Sequence, residues 1–289
     1  MPHDKSFRFK YFLGHLVIST LAVSILLVLV VSQWFPDFLF WTEGAYFAFG
    51  TLLAVDVVLG PALTLLVARP DKPKRELFTD LSLIGLFQVA AFSYGSYILY
   101  SERPLFMVVS GRFESKNIAF LKNADITMER FANFPGKAPY YVALRPVETD
   151  EERVQYMENM MSSQPTASTK IYAPFKEHFA LTKRANGLDL EKVWNDFPGF
   201  QEPMQAAISR HQGTDLVWFG YKGAMSNGVI AFNEQGDFVT FVHTDQAPIA
   251  MNRPEKNAEA AEAAEETAPM EEAAPTESAA PAEETKGAN

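Results

Sequence analysis

Three apolar runs, residues 11–31, 44–67 and 81–100, take up most of the first hundred positions, and they constrain the fold more than anything else in the chain. Each holds about 20 residues or more, and at ~1.5 Å per residue a helix of that length crosses a ~30 Å hydrocarbon layer. Backbone groups inside such a layer must be satisfied within their own segment, so helices are expected rather than strands. The first run exceeds the ~7–15 residue core of a secretory signal, and its exit, Val30-Val31-Ser32-Gln33-Trp34, has no small-x-small cleavage site. It therefore reads as a permanent anchor.

The segments between the runs orient them. Lys5, Arg8 and Lys10 precede the first, and Arg69, Lys72, Lys74 and Arg75 follow the second, with Pro70 and Pro73 stopping that helix. The 32–43 loop holds Asp37 and Glu43 with no Lys or Arg. The positive-inside rule then places the N-terminus and the basic loop in the cytoplasm and everything after Ser101 outside. Topology accounts for the four loop cations, which are also placed to meet anionic lipid headgroups. Trp34, Phe35, Phe38, Phe40, Trp41 and Tyr46 around the acidic loop suit an interfacial aromatic belt, as do Tyr94, Tyr97 and Tyr100 at the end of the third run. Thr79 and Asp80 are candidate N-terminal caps for that run.

Asp56 is the conspicuous residue within the spans. It lies 11 positions, or ~16 Å, from the Val67 end, near the bilayer midplane. An acid there costs roughly 2.5–3.5 kcal/mol to insert, so it is expected to face other helices and to have a partner. Gly60-Pro61 follows it. Pro61 cannot donate to the carbonyl of Val57, which predicts a kink with a free carbonyl beside the acid. Thr20 and Gln88 each lie nine residues, or ~14 Å, into their runs, and a Thr20/Asp56/Gln88 layer would satisfy the carboxylate. A proton relay and intramembrane catalysis compete with packing or partner docking for Asp56. Three short spans without an internal repeat, and no second acid at that depth, favour packing or docking. Ala91 and Gly95, at i and i+4, offer a close-packing face on the third span.

After residue 103 the pattern changes to that of an α+β domain, giving three expected units: 1–103, 104–253 and 254–289. Strands are expected at 104–110 and 140–145, and an antiparallel meander at 216–221, 229–232 and 238–243. Thr149-Asp150-Glu151-Glu152 is a capping box opening a helix to about 162. Residues 172–194 read as one or two helices broken near Asn186-Gly187, and 203–211 as another. The last segment is a disordered Ala/Glu/Pro tail by composition. Residues 256–289 hold nine Glu and two Lys, so −7 of the formal net charge of −10 is local to it. No acidic binding face follows from the total, and nucleic acid is not an expected partner. Cysteine is absent, which excludes disulfides, thiol catalysis and Cys-zinc sites.

No glycine-rich phosphate loop, nucleophile elbow or zinc motif is present, and the five histidines fall at no metal-ligand spacing. Neither a cofactor nor a metal is expected. The residues that remain carry a resemblance. Asp56-Val-Val-Leu-Gly-Pro61, Leu63-Thr-Leu-Leu-Val67, Lys74-Arg-Glu-Leu77 with Asp80-Leu81, Leu83-Ile-Gly-Leu86, Gln88, Tyr94-Gly95 and Arg103-Pro104 together resemble the type IV pilin accessory proteins of the TfpX/TfpZ type. The match is close over about 45–105, and the 216–243 meander is similar in character. The family pattern has an acidic residue just before an arginine where this chain has Ser110-Gly111 before Arg112.

That resemblance implies a multi-pass protein of a Gram-negative inner membrane with a periplasmic domain. Its implied role is non-enzymatic and chaperone-like, promoting assembly or stability of a cognate type IV pilin through the pilin's membrane helix, its head, or both. The bilayer and other pilus-assembly proteins are the further expected partners. The alternative is a membrane-anchored pilin-modifying enzyme or envelope sensor, suggested by the buried acid. The orientation is testable by fusion: alkaline phosphatase joined after Ser110 is expected to be active and after Lys72 silent, and the reverse pattern would overturn it.

Overall fold

The computed structural model describes residues 2–117, 128–134, 136–161 and 171–246. The expected acidic tail, 254–289, lies outside the described residues. Three helical stretches, Lys5–Trp34, Ala45–Val67 and Lys74–Glu102, are long and apolar enough to cross a membrane. They mark the chain as membrane-associated.

The first stretch is α1 (Pro2–Leu29), ending in a wide π turn, Val30–Trp34. A short α2 (Leu39–Thr42) leads into the second stretch, which is not one regular helix. α3 (Ala45–Leu53) widens into a π turn, Ala54–Leu59, before α4 (Gly60–Val67). α5 (Lys74–Glu102) starts earlier than the sequence suggested, directly after Pro73. Asp80 does not cap it but turns back to Lys72, whose Nζ donates at 2.6 Å. α1 packs along α4, and α4 along α5.

Among the described residues, the remainder forms a seven-stranded sheet in the order β4-β3-β1-β2-β5-β6-β7, with helices packed against it. Its strands are β1 (Phe106–Ser110), β2 (Arg112–Lys116), β3 (Tyr140–Leu144), β4 (Tyr172–Pro174), β5 (Val217–Lys222), β6 (Asn227–Phe232) and β7 (Phe238–Thr244). The helices are α6 (Asp150–Met161), α7 (Phe179–Asn186), α8 (Leu190–Asp196) and α9 (Gln201–Arg210). The expected β5-β6-β7 meander is antiparallel, but the sheet as a whole is mixed, because β1 pairs in parallel with β3 and β2 with β5.

Two strands depart from the sequence reading. Residues 172–174 form an edge strand where a helix was expected to start: Pro174 disfavours helical backbone at Ala173, and a sheet edge tolerates its missing N–H. β2 has one apolar residue among its five, with Glu114 held between Arg112 and Lys116, so its alternation is mostly polar. The Thr149 cap does form, with its Oγ1 accepting from Glu152 N–H at 3.1 Å. The Glu152 carboxylate meanwhile accepts from Arg145 at 2.7 Å and from the Glu148 N–H at 3.1 Å.

The 32–43 loop corrects the aromatic-belt expectation. Phe35 and Leu39, each 1% exposed, are buried in protein rather than in headgroups. They join one apolar core that runs from Val23, Leu26 and Val30 of the first helical stretch to Phe113, Phe219, Tyr221, Ile230 and Phe232 of the sheet. Phe38 stacks on Phe241 with centroids 4.2 Å apart and meets Tyr221 edge-on at 5.1 Å. Trp41, 62% exposed, keeps the expected outward position. The opposite sheet face is covered separately: α8 and α9 bring Val193, Met204 and Ala207 onto Trp218, Val229 and Ala231.

Truncating a fully buried Phe or Leu loses transfer energy and leaves a cavity. Phe35→Ala is therefore expected to cost about 3–5 kcal/mol and Leu39→Ala about 2–5 kcal/mol, while Trp41→Ala stays within about 0.5 kcal/mol. Thermal unfolding of the detergent-solubilised protein measures this, and equal losses at all three positions would refute the placement of the loop.

Candidate functional site

The helical module is organised around the π turn. The N–H of Gly60 reaches the carbonyl of Val55, five residues back. In that register the donor missing from Pro61 falls opposite the carbonyl of Asp56, not Val57 as the sequence implied. Gln88, from α5, supplies the replacement: its Nε2 donates to the Asp56 carbonyl at 3.1 Å and lies 3.5 Å from Oδ1. A Cβ on Gly60 would sit 1.9 Å from that Nε2, so the glycine leaves the space the glutamine amide occupies. Gly60, Pro61, Asp56 and Gln88 thus form one unit, a proline-widened turn closed by a side chain from the next helix.

The third expected member is elsewhere. Thr20 is exposed, and the face of α1 turned toward Asp56 presents His15, Ser19, Ala22 and Val23. Thr20 sits at the right depth but on the wrong side of the helix, which residue depth alone cannot resolve. His15 Nδ1 is 2.5 Å from Thr64 Oγ1, a second polar link between α1 and α4. Between α1 and α5, and floored by Asp56, lies a cavity of about 240 Å³. Gly95 packs against Leu52, with a Cβ there meeting its Cδ1 at 3.0 Å, whereas Ala91 is exposed, so the two do not form one packed face. In the basic loop Arg69, Lys74 and Arg75 are exposed. No group of three or more His, Asp or Glu that could hold a metal occurs among the described residues.

A second polar cluster joins the loop to the sheet, and sequence reasoning missed it. Glu43 accepts from the Tyr221 hydroxyl through Oε1 and from Ser115 Oγ at 2.6 Å through Oε2. Thr42 Oγ1 is 3.0 Å from the Tyr221 oxygen, and the Met225 N–H donates to the Thr42 carbonyl at 2.8 Å. Gly44, at φ +79°, makes the turn into α3 in a conformation that favours glycine. One signal was available: an acid in a short aromatic loop with no cation to pair with.

Comparison with known proteins places the chain in a family. The chain is 32% identical over 115 residues to the fimbrial assembly protein of serogroups C1 and C2 from Dichelobacter nodosus, covering 85% of that protein and 40% of this chain. The chain belongs to this fimbrial assembly family. It is also 30% identical over 164 residues to the serogroup I protein of the same organism and 30% identical over 151 residues to the serogroup E1 protein. These alignments cover 53% and 50% of this chain, and it spans only about six-tenths of the length of those two relatives, 62% and 57%. No family model matches the chain, and no solved structure does.

In this fimbrial assembly family member, Glu43 is a half-buried acid lying outside the apolar spans. Burial lifts its carboxyl above the usual 4.5, offset in part by the Ser115 and Tyr221 hydroxyls, the Ala224 backbone and the charge of Lys116. Burial and the neighbouring Glu43 together push the Tyr221 phenol well above its ordinary value of 10.0, so it remains a donor. An acid with a raised folded pKa holds its proton more tightly when folded. Its contribution is therefore full below the unfolded value near 4.5 and is lost as pH rises through the folded value. Thermal stability is expected to fall across that window in the wild type and to respond less in Glu43→Gln. Parallel pH profiles for the two proteins would exclude this role.

Proposed function

We propose that this chain is a non-enzymatic accessory factor of the inner membrane that promotes assembly or stability of a cognate type IV pilin. The observation that carries the proposal is the relationship to proteins named for fimbrial assembly. The resemblance of residues 45–105 to pilin accessory proteins supplies the finer reading. Lys5, Arg8 and Lys10 before the first apolar run and four cations after the second, with none between, support a cytoplasmic N-terminus and a periplasmic sheet domain.

The architecture suits that role. A pilin subunit held in the membrane by one apolar helix presents that helix within the bilayer and its head outside it. Here three apolar helices and a sheet share one core, so a single body offers a surface at both levels. Asp56 with Gln88 is then a structural and docking feature rather than a catalytic acid, because its polar neighbours among the described residues are His15, Ser19 and an amide, without a second carboxylate.

Deleting the gene is expected to lower surface pili and total pilin together; unchanged piliation and pilin would end the proposal. Asp56→Asn keeps an oxygen acceptor but removes the titrating group. It is expected to leave piliation near normal, whereas a null phenotype at normal protein level would favour the pilin-modifying enzyme or envelope sensor.

A further inference from the structure

The groove between α1 and α5 contains an unfinished set of hydrogen bonds. Asp56 is only 4% exposed, and its Oδ2 has no hydrogen-bond partner among the described residues; neither has Oε1 of Gln88. Asp56 Oδ1 and the Asp56 carbonyl are both served by Gln88 Nε2, which leaves the amide oxygen and the second carboxylate oxygen over. Both residues line the cavity of about 240 Å³. A buried acceptor without a donor costs more than a made hydrogen bond returns, and the cost rises in a low-dielectric setting.

The rest of the lining narrows what can supply the donor. Ile18, Val89 and Phe92 are apolar, while Ser19, Ala22 and Gly85 are small. Small residues beside a polar pair are the pattern by which membrane helices approach closely. Ile18 and Val89 are also exposed, at 70% and 65%, so the groove opens sideways from the bundle. Asp56 lies ~16 Å from the end of its span, which puts the opening among lipid chains and out of reach of a water-soluble partner.

We propose that this groove receives an apolar membrane helix of a partner that carries a hydrogen-bond donor at the level of Asp56, the donor entering the cavity to bind Asp56 Oδ2 and Gln88 Oε1. Two adjacent acceptors select a hydroxyl, amide or ammonium and reject an acceptor-only group. The cavity holds a side chain, not a helix, so the partner lies along the groove against Ser19, Ala22 and Gly85 and inserts one residue. This rests on the accessory reading above and identifies the partner helix as that of the pilin subunit.

A photocrosslinking residue placed at Ile18 or at Val89 of the full-length chain, in cells making pili, tests it, with Leu66 on α4, outside the groove, as control. Adducts with the apolar helix of pilin are expected from Ile18 and Val89 and not from Leu66. Asp56→Leu and Gln88→Leu are each expected to cut adduct yield by roughly 3- to 20-fold, the range for one interhelical hydrogen bond in a membrane. If Asp56→Leu fails to accumulate, Gln88→Leu decides alone. Adducts with lipid or a second copy only, or pilin adducts indifferent to the variant that accumulates, overturn the groove proposal. If gene deletion still lowers piliation and pilin in those cases, the accessory reading stands and contact belongs to the sheet domain.

Discussion

The insertion of the 35–43 loop into the sheet is the constraint on which the rest depends. Phe35 and Leu39 are part of the sheet's own core, and Glu43 is closed over by Tyr221 and Ser115 from β5 and β2. β2 is the middle strand of the seven and β5 its neighbour, so the loop is tied to the interior of the sheet rather than to an edge. A connection of this kind transmits position. An apolar contact alone would allow sliding, whereas a half-buried carboxylate with two hydroxyl donors has one satisfactory geometry.

Inside the helical module the same logic works through the backbone. A proline in a continuous helix leaves a carbonyl without its donor, and that debt is larger in an apolar setting than in water. Here the helix widens by one residue per turn, and a glutamine amide from the neighbouring helix takes the place of the lost N–H. Gly60 has no side chain that would obstruct it. The Asp56 carboxylate is thereby held at the floor of the groove by a backbone irregularity that its own segment creates.

How far the sequence discloses this depends on the kind of signal. The three apolar runs and the 217–244 meander were legible, because hydropathy and alternation report burial directly. Asp56 and Gln88 could be paired through depth, which follows from residue counting. Thr20 could not be placed, since depth says nothing about the angular position of a helix side chain, and His15 and Ser19 occupy the facing positions. The aromatic loop was misassigned for a related reason: Phe35 and Phe38 have the composition of an interfacial belt and of a protein core alike, and only the partner surface distinguishes them. β2 and β4 were hidden by charge and by Pro174, both of which are accommodated by position in the sheet rather than by local preference.

The Glu43–Tyr221 link closes a loop of 178 residues, and Thr42 reaches the same tyrosine across 179. Contacts of such sequence separation form late, because chain ordering must be completed before they return any stability. During synthesis the aromatic loop is finished long before β5 exists to receive it. Phe35, Phe38 and Leu39 therefore lack their sheet-side partners until β5 has been made. A chain ending before β5 would leave the loop's aromatic surface without the strand it packs against.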